Sequence, residues 1–323
     1  MSKPVLFVSF RPLNRAENLR AIYNAYEGDK MHLCTYDPHY TEEVTSGKYD
    51  LMVIDEFPSV TPGKCIMIWH GIQGGKYIGL DQPGSPYYKP EMADMMTCII
   101  SAGTGMVNVW NRCTGVPKER ILPLGMPRTD WYVANKYTSS SVKHYLFVPT
   151  FRDDNETPFP DIDWAYIDSR LNDNELLIIK AHPWQVYQGH TEQVAQGIKQ
   201  GMYKNIRIVS AADATSPYLY ISDVVITDYS SVMFDAYLLN KPVVLFEKTP
   251  GYVSTRGMYL SYPHGYCTYC ANNEEQLLKQ IRYRAQHPEL TRLEKRCMHT
   301  VADMCDGHSC ERICKLIDQM KGE

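Results

Sequence analysis

Ile221-Ser-Asp-Val-Val-Ile-Thr-Asp-Tyr-Ser-Ser-Val-Met-Phe-Asp-Ala-Tyr-Leu-Leu-Asn-Lys-Pro-Val-Val-Leu-Phe246 reads as strand, turn, helix and strand. Val224-Val-Ile226 is the first apolar run and Thr227-Asp-Tyr229 the turn. Ser230 and Ser231 open the helix, and Lys241-Pro242 precede a second apolar run, Val243–Phe246. The helix N-terminus therefore falls just past the carboxyl end of a buried strand. Free N–H groups, the helix dipole and two serine hydroxyls converge there, an arrangement suited to a phosphate or diphosphate.

The same rhythm runs through the rest of the chain. In the first half, strands are predicted at Val5–Phe10, His32–Thr35, Leu51–Asp55, Cys65–Trp69 and Cys98–Ser101, with helices at Asn14–Ala25 and Thr104–Arg112. In the second half, strands fall at Tyr145–Val148, Leu176–Lys180, Ile206–Val209, Val224–Thr227 and Val243–Phe246. Helices are predicted at Asp163–Leu171, Glu192–Lys199, Ser230–Leu239 and Glu274–Ala285. Alternating β and α segments of this kind define an α/β protein with parallel, doubly wound sheets. The rhythm breaks once, at the polar stretch Tyr132–Lys143 with its Ser139-Ser-Ser141. The expectation is two Rossmann-like domains, residues 1–140 and 141–323, with a cleft between the carboxyl ends of their strands. The region after Pro288 reads as helical and is expected to pack back on the first domain.

A chain of 323 residues accommodates two such domains. A hydrophobic content of 44% and a charged content of 22% are those of a soluble globular protein. The net charge of −4 gives no general attraction to nucleic acid or anionic lipid. No apolar run approaches the roughly 20 residues that span a bilayer. The N-terminus reads as a first strand, not a signal peptide, so a cytoplasmic protein is expected. Ten cysteines then read as reduced thiols, with Cys34, Cys65 and Cys98 in apolar runs as small core residues. Cys267 and Cys270, with Cys305, His308, Cys310 and Cys314, could make a zinc site, but their spacings are not those of a ribbon or finger. No metal ligand is assigned.

Polar residues recur just after the predicted strands, where ligands bind in such sheets. They are His70; Thr150, Arg152, Asp153 and Asp154; His182; Asp228, Ser230 and Ser231; and Glu247 with Lys248. Any one of them could be an ordinary loop residue, and recurrence along one edge is what points to a site. His70 precedes Gly71, Gly74 and Gly75 and could take a proton from a hydroxyl, or simply cap a glycine-rich turn. His182, before Pro183, could bond a phosphoryl oxygen or protonate a leaving group. Arg152 and Arg256 are candidate diphosphate clamps, with a surface ion pair the alternative for Arg256. No cofactor is firmly implied, and Asp153-Asp154 could hold Mg2+ or cap a turn. Ala102-Gly-Thr-Gly105 resembles a phosphate loop, but a tight turn with Thr104 capping a helix fits it better.

Taken together, these segments resemble the CDP-glycerol glycerophosphotransferase family, the bacterial enzymes that prime and polymerise teichoic acids. Trp69-His-Gly71 with Gly79-Leu-Asp81 resembles the family's W-H-G and G-x-D elements. Leu124-Gly-Met-Pro-Arg-Thr-Asp130 is similar to G-x-P-R-x-D, and Val148-Pro-Thr-Phe-Arg-Asp-Asp154 to A-P-T-x-R-D. Lys180-Ala-His-Pro183 resembles R/K-x-H-P, and Arg256-Gly-Met-Tyr259 resembles R-G-x-Y. Ile221–Ser231 is close to S-D-x-x-I-T-D-Y-S-S, the most specific of the set. The resemblance implies a GT-B-like architecture and a CDP-alditol donor, usually CDP-glycerol. An acceptor hydroxyl attacks the β-phosphorus and CMP leaves. It implies His70 as base and His182 on the phosphoryl oxygens. Thr150, Arg152, Thr227, Asp228, Ser230, Ser231, Glu247 and Arg256 would form the donor site, and Gly71, Asp81 and Arg128 the acceptor side.

The chain departs from the family in two places. Ile72-Gln-Gly-Gly-Lys-Tyr-Ile78 replaces a T-P-L-K-K-like run on the acceptor side. Pro263-His-Gly-Tyr-Cys267 replaces P-G-P. The chain also begins directly with a strand, without an amphipathic extension for meeting lipid-linked polymer. A glycan, a polyol-phosphate polymer or an unusual soluble acceptor is therefore open, with peripheral contact at the inner face of the membrane one option. An NDP-sugar glycosyltransferase on the same scaffold is the rival reading. A non-catalytic nucleotide-binding protein is a second, disfavoured by the presence of both histidines.

Overall fold

The computed structural model describes residues 3–73, 91–135, 140–150, 161–187, 189, 191–248, 257–259 and 265–322. Two compact units result. The first comprises Met1–Asn135 together with His299–Glu323, and the second Lys136–Met298.

The first unit is built on a six-stranded sheet of β1 (Val5–Ser9), β2 (Lys30–Cys34), β3 (Leu51–Ile54), β4 (Lys64–Ile68), β5 (Cys98–Ser101) and β6 (Ile121–Pro123). Its order is β2-β1-β3-β4-β5-β6, and every neighbouring pair is parallel. β1, β3 and β5 are buried along their whole length, as expected when helices cover both faces of a parallel sheet. The predicted helix at Asn14–Ala25 is a short turn, Leu13–Arg15, followed by the helix Glu17–Ala25. Likewise Thr104–Met106 is a turn that leads into the helix Val107–Thr114.

The last 25 residues belong to this unit, and their docking explains several loop residues. Asp303 accepts from the Thr104 backbone N–H (2.8 Å) and hydroxyl (2.6 Å), so the Gly-Thr-Gly turn receives a carboxylate of the chain itself. Asp130 accepts from the N–H groups of Ser309 (3.0 Å) and Cys310 (2.8 Å), capping the helix Ser309–Gly322. Gly125 sits at φ +86°, and a Cβ there would meet the Met304 carbonyl oxygen at 2.3 Å. The glycine and the aspartate of the G-x-P-R-x-D segment thus hold the C-terminal helix.

The second unit repeats the plan with β7 (Lys143–Phe147), β8 (Glu175–Ile179), β9 (Ile206–Ile208), β10 (Val224–Thr227), β11 (Val243–Phe246) and β12 (Cys270–Ala271). The order is β12-β11-β10-β7-β8-β9, again all parallel. Tyr145, Phe147, Leu177, Ile226, Val244 and Phe246 form the centre of its core with Trp164, Leu277 and Ile281 from the flanking helices. Asn273 caps the helix Glu274–Gln286 by accepting from Gln276 N–H. Arg284 and Glu294 form a buried ion pair at 3.0 Å beside it.

Candidate active site

In a doubly wound sheet the ligand crevice lies where the strand order reverses, outside the carboxyl ends of the two strands concerned. The first sheet reverses between β1 and β3, and the second between β7 and β10. Both reversals carry the same device. Asp55, directly after β3, accepts from the Phe10 N–H just past β1 at 2.8 Å. Asp228, directly after β10, accepts from the Thr150 N–H just past β7 at 2.7 Å.

At the second reversal the turn is braced from within. Thr227 is fully buried, and its hydroxyl donates to the Val148 carbonyl at 2.6 Å. Asp228, also buried, further accepts from the Tyr229 N–H at 2.6 Å. The Tyr229 hydroxyl donates to Glu247 at the end of β11. These side chains fix the loop's shape. Ser230 and Ser231 lie half-buried on the rim. The helix expected from Ser230 begins at Val232 and ends at Leu238. Ser230 Oγ accepts weakly from the Val232 N–H at 3.4 Å, and Ser231 makes no side-chain cap bond.

His182 lies after β8, at the start of the helix Pro183–Tyr187. Its position is set by Gln185, which is fully buried. Gln185 Oε1 accepts from the His182 N–H at 2.8 Å, and its Nε2 donates to the Thr150 carbonyl at 2.9 Å. This is the reach-back of a helix's third residue to its cap, with proline at the first helical position. It ties the His182 loop to the Thr150 loop. Lys248 pairs with Glu274 at 2.6 Å. Burial alone would raise the Glu274 carboxyl, but Lys248 and the Asp163 N–H hold it below the usual range.

At the first sheet His70 follows β4, and its side chain is 43% exposed. Its ring lies against Trp69, with centroids 4.2 Å apart and planes 35° apart. Trp69 in turn packs on Phe57 and Trp110. The Arg128 guanidinium donates to the His70 carbonyl. Asn18, buried, donates to the Trp69 carbonyl at 2.9 Å and accepts from the Arg128 N–H at 3.1 Å. Glu56 Oε2 lies 3.4 Å from His70 Nδ1. Burial pushes the Asp55 carboxyl up, against the lowering effect of the Phe10 N–H, His70 and Arg11.

The structure thus gathers Thr150, His182, Thr227, Asp228, Ser230, Ser231 and Glu247 along the carboxyl edge of the second sheet. His70, Gly71 and Arg128 gather in the first unit. Asp81, Arg152, Asp153, Asp154 and Arg256 lie outside the described residues, as do Gly74 and Gly75. Sequence reasoning passed over Glu56, Asp55 and Gln185. The first two satisfy the same strand-end rule that found His70, and Gln185 carries a capping signature. All ten cysteines are free, and Cys34 is half-buried where a core position was expected. Burial pushes the Cys98 thiol up to about 12. Among the described residues no three His, Cys, Asp or Glu side chains gather as a metal cluster.

Two parallel-sheet units with strand-end loops of this composition define a GT-B-like fold. The sequence profile of the CDP-Glycerol:Poly(glycerophosphate) glycerophosphotransferase family matches residues 48–319, and the chain belongs to that family. It is similar to the teichoic acid poly(ribitol-phosphate) polymerase of Bacillus spizizenii, 26% identical over 298 residues, 84% of this chain and 46% of that protein. With the teichoic acid glycerol-phosphate primase of Bacillus subtilis it shares 27% identity over 248 residues, 68% of this chain and 59% of that protein. The chain spans about half the length of the curated relatives it matches. Among solved structures, the wall teichoic acid polymerase TagF superposes with a TM-score of 0.76 at 20% identity, covering 99% of this chain and 89% of that one. One of its histidine-to-asparagine variants has been soaked with CDPG. No described helix is long and apolar enough to cross a membrane.

Proposed function

We propose that this chain transfers an alditol phosphate, glycerol phosphate from CDP-glycerol in the favoured case, to an acceptor hydroxyl and releases CMP. One observation carries the reading. Among the described motif residues, Thr150, Thr227, Asp228, Ser230 and Ser231 sit at the strand-order reversal of the second sheet with His182 beside it, and His70 follows β4, the strand next to the first sheet's reversal, where ligands of such sheets bind. In this reading the second unit holds the donor. Ser230, Ser231, Arg152 and Arg256 meet its diphosphate, while Thr227, Asp228 and Glu247 keep the loop in shape. His182 bonds the phosphoryl oxygens.

His70 takes the proton of the acceptor hydroxyl, with Gly71, Asp81 and Arg128 on the acceptor side. The acceptor oxygen bonds to the β-phosphorus. The bond from that phosphorus to the bridging oxygen breaks, and CMP departs with the electron pair. Phosphoryl transfer asks chiefly for positioning and charge stabilisation, which these groups supply. The enzyme works in the cytoplasm, at the inner membrane face if its acceptor is lipid-linked.

Product analysis decides the matter. CMP release from CDP-glycerol supports the reading. Release of a nucleoside diphosphate from an NDP-sugar, with CDP-glycerol inert, would replace it by glycosyl transfer. His70→Ala is expected to abolish transfer while donor binding persists. Ser230→Ala with Ser231→Ala is expected to weaken donor binding by about 1–3 kcal/mol, read by calorimetry.

A further inference from the structure

We propose that Glu56 is a positioning residue for His70. It would fix the imidazole as its Nδ1–H tautomer, leaving Nε2 to receive the acceptor's proton. The inference rests on the reading of His70 as the base and deepens it. Four observations support it.

Glu56 directly follows Asp55, at the β1/β3 reversal where a ligand of this sheet would lie. Its Oε2 stands 3.4 Å from His70 Nδ1, a loose contact of the kind that tightens when the ring gains a proton. The rest of His70 is already held. Trp69 backs the ring, and Arg128 anchors the carbonyl, so rotation of the imidazole is the freedom left to control. The neighbouring carboxylate, Asp55, is engaged by the Phe10 N–H, and Arg128 carries donors alone.

A carboxylate at Nδ1 requires a hydrogen there in the neutral ring, which makes Nε2 the nitrogen with the lone pair. When the acceptor hydroxyl attacks, its proton passes to Nε2. The resulting imidazolium faces the Glu56 carboxylate at Nδ1, and the transferred proton remains on the ring. The same division of labour operates wherever a carboxylate orients a histidine base. As a half-exposed ion pair the contact contributes little to stability. A purely structural role therefore predicts no effect on tautomer or turnover.

The test uses the full chain with Glu56→Ala, Glu56→Gln, Glu56→Asp and His70→Asn. Long-range 1H–15N spectra of the imidazoles, with the His70 signals assigned by their loss in His70→Asn, report the tautomer whether or not the enzyme turns over. Wild type is expected to hold Nδ1–H and Glu56→Ala to lose it. Transfer from CDP-glycerol is expected to fall about 10- to 100-fold in kcat for Glu56→Ala, part of the full effect of a general base. The KM for donor should hold within roughly twofold, and Glu56→Asp should recover part of the rate. Retention of the Nδ1–H tautomer in Glu56→Ala, or an unchanged kcat, overturns the proposal. If His70→Asn also turns over normally, the base assignment falls as well. If His70→Asn is dead while Glu56→Ala is normal, only the role of Glu56 falls.

Discussion

Gly125→Ala tests how the C-terminal segment is fastened, and Gly47→Ala is its control. Both glycines have positive φ, +86° and +78°, so either alanine pays a left-handed backbone cost of about 1 kcal/mol. They differ in what the new methyl meets. At Gly47 nothing lies within 4 Å. At Gly125 the Cβ falls 2.3 Å from both the Met304 carbonyl oxygen and Ser309 Oγ. The carbonyl belongs to the backbone and can move only with its segment. That shift strains the Met304 N–H bond to Ala102 and both Asp130 caps on the last helix. Overpacking of this kind costs about 1–3 kcal/mol, and a damaged cap about 1 more. Gly125→Ala should therefore destabilise the first unit by about 3–5 kcal/mol, a large share of the roughly 5–15 kcal/mol that holds a domain together. Hydrogen exchange measured by mass spectrometry across a urea series resolves the units separately. Protection should drop at 299–322 and across β1–β6 in Gly125→Ala, with the second sheet unaffected. Equal losses for the two variants would refute the docking argument.

Thr227→Val removes a buried donor and leaves the Val148 carbonyl unmet, so urea melts should show a loss of about 1–3 kcal/mol, with Thr227→Ser close to wild type. Arg284→Met strands Glu294 in the core, and thermal or urea melts should show about 3–5 kcal/mol of destabilisation, partly recovered by adding Glu294→Gln. Asp306 is paired through both oxygens with Arg312, whose hydrogen bond is the main cause of a carboxyl pulled down to about 2. A depressed carboxyl stabilises the fold above the unfolded carboxylate range near pH 4, and that contribution is lost as pH falls through about 2. The pair is half-exposed, so the effect should be about 0.5–1 kcal/mol. It should vanish in Asp306→Asn when stability is followed from pH 5 to pH 2.

The central strands were legible because burial on both faces makes their runs apolar, as in Val224-Val-Ile226 and Leu51–Ile54. The edge strands Ile121–Pro123 and Cys270–Ala271 were not, since two or three residues carry no period. Strand-end logic singled out His70, His182 and the Thr227–Ser231 turn, which lie after or at the ends of β4, β8 and β10. It did not reveal how they are used. Asp228 looks like a ligand group in the sequence, yet its carboxylate is bonded by the N–H of Thr150, 78 residues away, and only the tertiary fold brings the two together. Gln185 was hidden for a related reason. Its capping signature sits beside His182, but its bond to the Thr150 carbonyl spans 35 residues. Gly125 and Asp130 appear in the sequence only as part of the segment that resembles G-x-P-R-x-D, and tertiary packing shows them gripping the last helix.

That grip has a consequence for how the protein is made. The second unit is one continuous stretch, Lys136–Met298, whereas the first is completed only by His299–Glu323. On the ribosome the first sheet emerges before residues 299–322 that complete its unit, and the hollow beside Gly103, Gly105 and Gly125 is uncovered until they follow. The unit that is synthesised first is thus the last to finish folding. Shortening the C-terminus upstream of Asp303 should undo the unit that begins the chain and spare the one next to the cut.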